Sequence, residues 1–211
     1  MKLAIVGESP ADEAAVKILV DAILGVQTEI VAERRVRPGG LSHVLRLLPG
    51  IVASLHYYSE AEAVVVVVDS DDSTVHDLRA QSFPCNSDCR ICAIRAVLQE
   101  SFRKLRAVES RPLLKKGSGV AIPAIEAWYR CGIDPQVNEA TWIRHLAGES
   151  ITFDRKKLKR DTYGTNIPGL MLETEIATSC ATRLAGNLDQ LQQLFPIGFG
   201  CLVADLRSWS T

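Results

Sequence analysis

Residues 64–72 read VVVVVDSDD, and this stretch decides the fold. Five consecutive valines are β-branched and apolar on both sides of the chain, so the strand they form is buried on both faces. A parallel sheet covered by helices provides that environment. The run stops at Asp69, which places carboxylates at the carboxyl end of a buried strand. Open α/β sheets bind their ligands at that edge.

Working outward, Lys2–Gly7 (KLAIVG) reads as a second buried strand ending in glycine. Ser9 or Asp12 is placed to cap a helix running to about Leu24, with Ala14, Ile18, Val20 and Ile23 among its apolar positions and Gly25 ending it. Thr28–Val36 has the β-branched content of a strand, and Arg37–Gly40 (RPGG) signals a turn. Leu41–His56 reads as helix with a break at Pro49–Gly50, and Ile91–Val108 as an amphipathic, basic helix. Gly119–Ile122 (GVAI) reads as a strand, and Pro123 or Ala124 opens a helix through Arg130. The order β-α-β-α-β-(insert)-α-β-α predicts an α/β fold with an open, mostly parallel, Rossmann-like sheet flanked by helices. Beyond Ile133 the strand signals fade, and Glu139–Leu146, Lys156–Arg160, Leu170–Leu184 and Leu188–Phe195 read as helices. The expected division is an α/β domain over 1–132, with a Cys-rich insert at about 82–95, and a helical C-terminal extension over 133–211 packed on it.

The 211 residues, 47% hydrophobic and 23% charged, suffice for a core without covalent staples and exclude wholesale disorder. The longest unbroken apolar run, Ala63–Val68, is far short of the ~20 residues that span a bilayer. The apolar start is too short for a signal peptide, so a cytoplasmic protein without membrane contact is expected. The net charge is -1, but it is unevenly spread. Glu60 to Asp77 holds six acids and no Lys or Arg, Arg90 to Lys116 holds eight bases and two acids, and Arg155–Arg160 (RKKLKR) holds five bases. An acidic centre with basic flanks suits a protein that holds cations and meets a polyanion, while two solvated helix faces are the plain alternative.

The acids fall at strand ends. Glu8 follows the first strand, Asp69 and Asp71 the third, and Glu126 (in VAIPAIEAW) the fourth. Asp69 and Asp71 point to one side if the chain is extended there. Asp12 lies one helical turn from Glu8. Converging carboxylates repel unless a cation lies between them. Hard oxygen ligands suit Mg²⁺ or Mn²⁺, and two such ions about 4 Å apart clamp the attacking and leaving oxygens of a phosphodiester. Taken singly, each acid also reads as a helix N-cap. No GxxxxGK[ST] loop occurs, so ATP hydrolysis is not expected.

GESPADEAA after the first strand, followed by VVVVVDSDD, resembles the Toprim domain of topoisomerases, primases and OLD-family nucleases. The Glu8–Asp12 spacing resembles the ExxxD of the OLD-type nucleases. IPAIEAWYRCG is similar to the "iEaW" segment of a family of small bacterial Toprim-like proteins, as are the basic stretch Lys156–Arg160, Tyr163 and LAGNLDQLQQLFPIGFGCLVADL. The likeness runs from Lys2 to Leu206. It implies a metal-dependent nuclease or a nucleic-acid-binding relative. It carries Glu8, Asp12, Asp69 and Asp71 over as metal ligands and Glu126 as a further ligand or proton acceptor. Lys156, Lys157, Lys159 and Arg160 would then hold the phosphate backbone of DNA or RNA. An ABC-type ATPase partner in a phage-defence system follows by analogy, and a homo-oligomer stays open. Two features depart from the pattern. Ser9 stands where Toprim usually shows Gly, and a Cys-containing insert interrupts the chain.

Of six cysteines, Cys85, Cys89 and Cys92 (CNSDCRIC) lie within eight residues. Disulfides are not expected in a cytosolic chain, and thiols this close point to a metal. His76 would complete a tetrahedral Cys₃His zinc site, with Asp88 or Cys131 as competitors and an empty, reduced cluster as the alternative. The C-x₃-C-x₂-C spacing also matches the radical SAM cluster loop, which follows a first strand where this one follows a third. Cys131, Cys180 and Cys201 have apolar neighbourhoods and read as core. DSDDST superficially fits a HAD-like phosphatase, whose motif again follows the first strand. A binding module without catalysis is the remaining reading. Trp128 reads as core, Tyr163 as surface, and Trp209 as a docking contact or tail residue. His43, His56 and His145 carry no partner signal.

Overall fold

Four strands, β1 (Lys2–Val6), β2 (Glu29–Ile30), β3 (Ala63–Asp69) and β4 (Lys115–Ala121), form one all-parallel open sheet in the order β2-β1-β3-β4. This computed structural model describes residues 1–31, 40–80, 83–109 and 111–210. The helices are α1 (Pro10–Leu24), α2 (Gly40–Tyr58), α3 (Arg90–Arg103), α4 (Ile125–Tyr129), α5 (Glu139–Leu146), α6 (Arg155–Tyr163), α7 (Leu170–Ala185), α8 (Leu188–Leu194) and α9 (Gly198–Arg207). One sheet face is covered by α1 and α9, the other by α2 and α3, and α7 lies along α1. The fold is therefore α/β with helices on both faces. The five valines of β3 are each 2% exposed or less, as a central parallel strand requires.

Several boundaries differ from the sequence reading. The paired part of the second strand among described residues is Glu29–Ile30; positions 32–39, including most of RPGG, lie outside the described residues. Helix α2 runs straight through Pro49. Its buried stripe, Val44, Leu48, Val52 and Leu55, holds both sides of the proline to the sheet, which outweighs one lost N–H. Strand β4 starts at Lys115, because pairing with β3 from Ala63 onward carries the polar KKGS segment into the sheet. Helix α3 ends at Arg103 rather than near Val108.

The sequence reading has no counterpart for α9, whose GFG start argues against helix. Its glycine has a packing reason: a Cβ at Gly198 would collide with the Val120 carbonyl. The Glu139 carboxylate of α5 accepts the Ile197 and Gly198 N–H groups at 2.9 and 2.8 Å, satisfying the helix start from outside. Trp128 is fully buried and meets Phe199 of α9 edge to face, with ring centroids 5.2 Å apart. Tyr163, expected on the surface, is 4% exposed, because α6 turns its C-terminal end inward.

The outer edge of β4 is closed by the C-terminal segment. Ser118 donates its N–H and hydroxyl to Asp205 Oδ2 at 3.0 and 2.7 Å. Trp209 Nε1 donates to the Lys116 carbonyl at 3.1 Å, and Arg95 binds Asp205 Oδ1 at 3.1 Å. An edge strand is thus paired by side chains instead of a fifth strand. Asp205→Ala leaves the Ser118 N–H and the Arg95 guanidinium without this acceptor. The expected cost is about 1–3 kcal/mol, read as a lower denaturant midpoint, with Asp205→Asn losing less.

Candidate metal centres

The strand order reverses at β1, with β2 on one side and β3 on the other, so a crevice opens beyond the carboxyl ends of β1 and β3. Glu8 lies just past β1 and Asp69 is the last residue of β3. The Asp69 N–H donates to Glu8 Oε1 at 3.3 Å. Asp69 Oδ1 accepts the Ile125 N–H at 2.9 Å, so it also caps the short helix α4. Ser70 and Asp71 donate their N–H groups to the carbonyls of Ala121 and Pro123 at 2.7 and 2.9 Å. These two bonds press the DSDD loop against the β4–α4 turn, which carries Glu126. Ser9 is the N-cap of α1, accepting the Asp12 N–H at 3.1 Å, with Pro10 behind it. That cap sets Asp12 in the first helical turn, facing the same crevice.

Burial and neighbouring acid charges act on all of these carboxylates. Burial pushes Asp69 well above the carboxylate range, and Glu126, Asp12, Glu8 and Asp71 push it further. Asp12 rises from 3.8 to about 7, through burial and then the charges of Glu126, Glu173 and Glu8. Glu8 rises through burial and Asp71, and Glu126 through burial with Glu173 adding to it. Glu173 of α7 was invisible to sequence reasoning, because no motif surrounds it; only the packing of α7 along α1 brings it in. The Tyr129 and Tyr163 hydroxyls are buried with no hydrogen-bond partner among the described residues, and both phenols are pushed up by burial and by the nearby Asp12 and Glu126 charges.

A raised folded-state value favours the protonated protein. The resulting stability is present in full below the unfolded value, 3.8 for Asp12, and is lost as pH rises through about 7. Melting temperatures in EDTA are therefore expected to fall across that window, and Glu126→Gln to flatten the fall.

Asp71 sits differently from the extended geometry the sequence suggested. Its φ is 48°, in the left-handed region, so the DxD is a strand end followed by a turn. Its carboxylate takes Arg90 Nη2 at 2.6 Å and also pairs with Arg155. Arg155 and Lys159, one turn apart on α6, face the acids, with Lys159 Nζ 3.9 Å from Glu173. Lys156 and Arg160 share the adjacent, exposed face, and Lys157 donates to the Thr152 carbonyl at 2.8 Å. Of the four bases expected to hold phosphate, only Lys159 stands at the centre; Arg90 and Arg155 join it.

A second cluster lies in the loop between β3 and α3. His76, Cys85, Cys89 and Cys92 offer ligand atoms all within 4.8 Å of one another. His76 Nδ1 is 3.3, 3.5 and 3.4 Å from the sulfurs of Cys85, Cys89 and Cys92, and the Cys85 and Cys92 sulfurs are 3.6 Å apart. A tetrahedral site with metal–sulfur bonds near 2.3 Å and metal–nitrogen bonds near 2.0 Å has ligand–ligand edges of roughly 3.5–3.8 Å. These four edges lie within about 0.2 Å of the values for a single ion. Asp88 instead accepts the Thr74 N–H at 3.1 Å, and His76 is the residue grouped with the three thiols. Burial and Arg95 lower His76, which favours the neutral imidazole that binds metal. Burial and the neighbouring thiols push Cys89 up to about 12, so a metal must displace its proton. Burial also raises Cys85, but hydrogen bonds from Asp77 and the other two cysteines outweigh it and leave that thiol lowered. This cluster can hold a metal ion. All six cysteines are free thiols; Cys131 and Cys201 are core residues and Cys180 is partly buried.

A cavity of about 520 Å³ lies at the opposite end of β4, between Leu98, Leu114, Lys115 and Trp209. Its one acid, Asp205, is committed to Arg95 and Ser118. Among the described residues no helix is long and apolar enough to cross a membrane. Comparison of the chain with family models, curated proteins and solved structures gives no match.

Proposed function

We propose that the protein is a divalent-metal-dependent, Toprim-type nuclease that hydrolyses phosphodiester bonds of nucleic acid. One observation carries the reading: Glu8, Asp69 and Glu126 follow three parallel strands and Asp12 opens α1, the Asp69 N–H reaches Glu8 and its carboxylate caps the helix that carries Glu126, and all four acids are shifted toward protonation by burial and neighbouring acid charges. The donor set is oxygen only, which fits Mg²⁺ or Mn²⁺, and the two unpartnered phenols supply further polar lining. Glu8, Asp69 and Asp71 would hold one ion, with Asp12 and Glu173 beside a second. Bound there, a divalent cation lowers the pKa of a water and steadies a leaving oxygen.

The protein's own groups do the rest. Glu126, raised above the usual carboxylate range by burial, accepts a proton from the attacking water. Arg155 and Lys159 meet the phosphate, exchanging a carboxylate partner for a substrate oxygen. Arg155→Ala is expected to weaken binding to a single-stranded oligonucleotide and to lower the slope of log affinity against log salt by about 0.7. The ABC-type ATPase partner rests on the resemblance alone.

The occupant of the Cys₃His cluster is proposed to be zinc in a structural role, closed by four protein ligands. The test of the nuclease reading is cleavage of plasmid, single-stranded DNA and RNA with Mn²⁺, Mg²⁺ or EDTA. Metal-dependent cleavage supports it. Affinity for nucleic acid without cleavage in any metal would establish the binding-module reading instead, with the Arg90 and Arg155 pairs of Asp71 as permanent structure.

A further inference from the structure

We infer that Arg90 is the positioning residue of the acidic centre and that the Cys₃His metal centre is what holds Arg90 in place. Its catalytic consequence rests on the proposed metal site at the acids. Its geometry stands on its own.

Cys89 is the N-cap of α3, and it makes no side-chain capping bond, because its sulfur belongs to the metal cluster. Arg90 is the next residue. Its guanidinium reaches back over the end of β3, donating Nη1 to the Asp69 carbonyl at 2.7 Å and Nη2 to Asp71 Oδ2 at 2.6 Å. A planar fork spans two such acceptors where an ammonium cannot. Asp71 has a left-handed backbone, which Asp adopts more readily than most residues but still at a cost, so an external contact helps to hold it. Arg90 supplies it from within the protein, with only 17% of its side chain exposed.

The loop between the two centres has no strand or helix of its own from Ser70 to Cys89 among the described residues. The tie from Asp88 to the Thr74 N–H closes it across its width. Ser70, Ser73, His76, Cys89 and Arg90 line one cleft of only about 10 Å³, room for about one water. The start of the loop, His76 and the Cys89–Arg90 pair therefore share one tight cleft, and Arg90 links it to Asp69 and Asp71. A bound metal ties His76, near the start of this loop, to the start of α3. Without it, four ligands in weak mutual contact remain, and the start of α3 is free to fray with Arg90 on it. Loss of such a supporting contact lowers metal affinity by about 10–100-fold. Chelation or oxidation of the thiols would then weaken the acidic centre without touching a carboxylate.

Hydrogen exchange of the peptide covering 69–73 decides this, because the Ser70 and Asp71 amides are bonded to Ala121 and Pro123. The full chain is compared with its zinc, after stripping by a thiol-selective reagent and chelator, and as Arg90→Ala and Arg90→Lys. Zinc content is measured in each, and Mn²⁺ affinity by titration. Stripping is expected to raise exchange in 69–73 about tenfold and to lower Mn²⁺ affinity about 10–100-fold. Arg90→Ala should keep one zinc per chain and reproduce both changes, and Arg90→Lys should recover only a minor part. Unchanged exchange in either the stripped protein or Arg90→Ala overturns the assignment. If wild type binds no Mn²⁺ while exchange still rises in both, Arg90 stands as the positioning residue and the catalytic reading of the acids falls.

Discussion

Asp69→Asn is expected to abolish metal-dependent cleavage, a loss of at least about a thousandfold or ~4 kcal/mol of transition-state stabilisation, while making the metal-free protein more stable at pH 8. Both effects come from one carboxylate. Asp69 is the acid on which four others, Glu126, Asp12, Glu8 and Asp71, press, so an ion is expected to relieve it strongly. Asparagine keeps an oxygen for the Ile125 N–H, so the cap on α4 survives the change. It removes a buried charge that is held up by like charges, so the metal-free melting temperature at pH 8 rises. Cleavage gels and melting curves in EDTA read the two halves. A variant that loses both activity and stability would show that the Asp69 carboxylate itself holds the metal-free site together, against this reading.

The second large effect is at the thiols. Cys89→Ser, or stripping of the metal, removes whatever stability binding adds to the folded chain. That is about 4 kcal/mol when free metal exceeds its dissociation constant a thousandfold, and about 8–16 °C in melting temperature for a chain of this size. Cys89 is chosen because it is both a member of the thiol cluster and the N-cap of α3. Cys180→Ser, outside the cluster, is the control and should leave metal content unchanged. Elemental analysis of the isolated protein should return one zinc per chain. Iron with a brown colour would instead place the cluster with redox chemistry.

Much of this was legible in VVVVVDSDD. A run apolar on both faces has one stable setting, the middle of a parallel sheet, and β3 is there. Glu8, Asp12 and Glu126 follow from the same logic, because acids after parallel strands share an edge. Glu173 and Arg90 were not legible. Neither sits in a spacing that announces chemistry, and each reaches the crevice through packing of a whole helix. Arg155 was obscured by the density of charge around it, since RKKLKR does not show which faces of a helix turn inward. Helix α9 was hidden by its glycines, of which Gly198 is the one whose small size lets the helix approach the Val120 carbonyl. Pro49 misled in the opposite sense, because local propensity is a fraction of what a buried stripe contributes.

The side chains that seal β4 also set an order in time. Ser118 and its acceptor Asp205 are 87 residues apart. A ribosome adding about 5–20 residues per second needs about 4–17 s to travel that far. Throughout that interval β4 can join β3 while its outer edge has no partner, so a neighbouring nascent chain could add a strand there. The interval of greatest risk in making this protein thus lies between the synthesis of β4 and that of α9, and ends when Asp205 and Trp209 leave the ribosome exit tunnel.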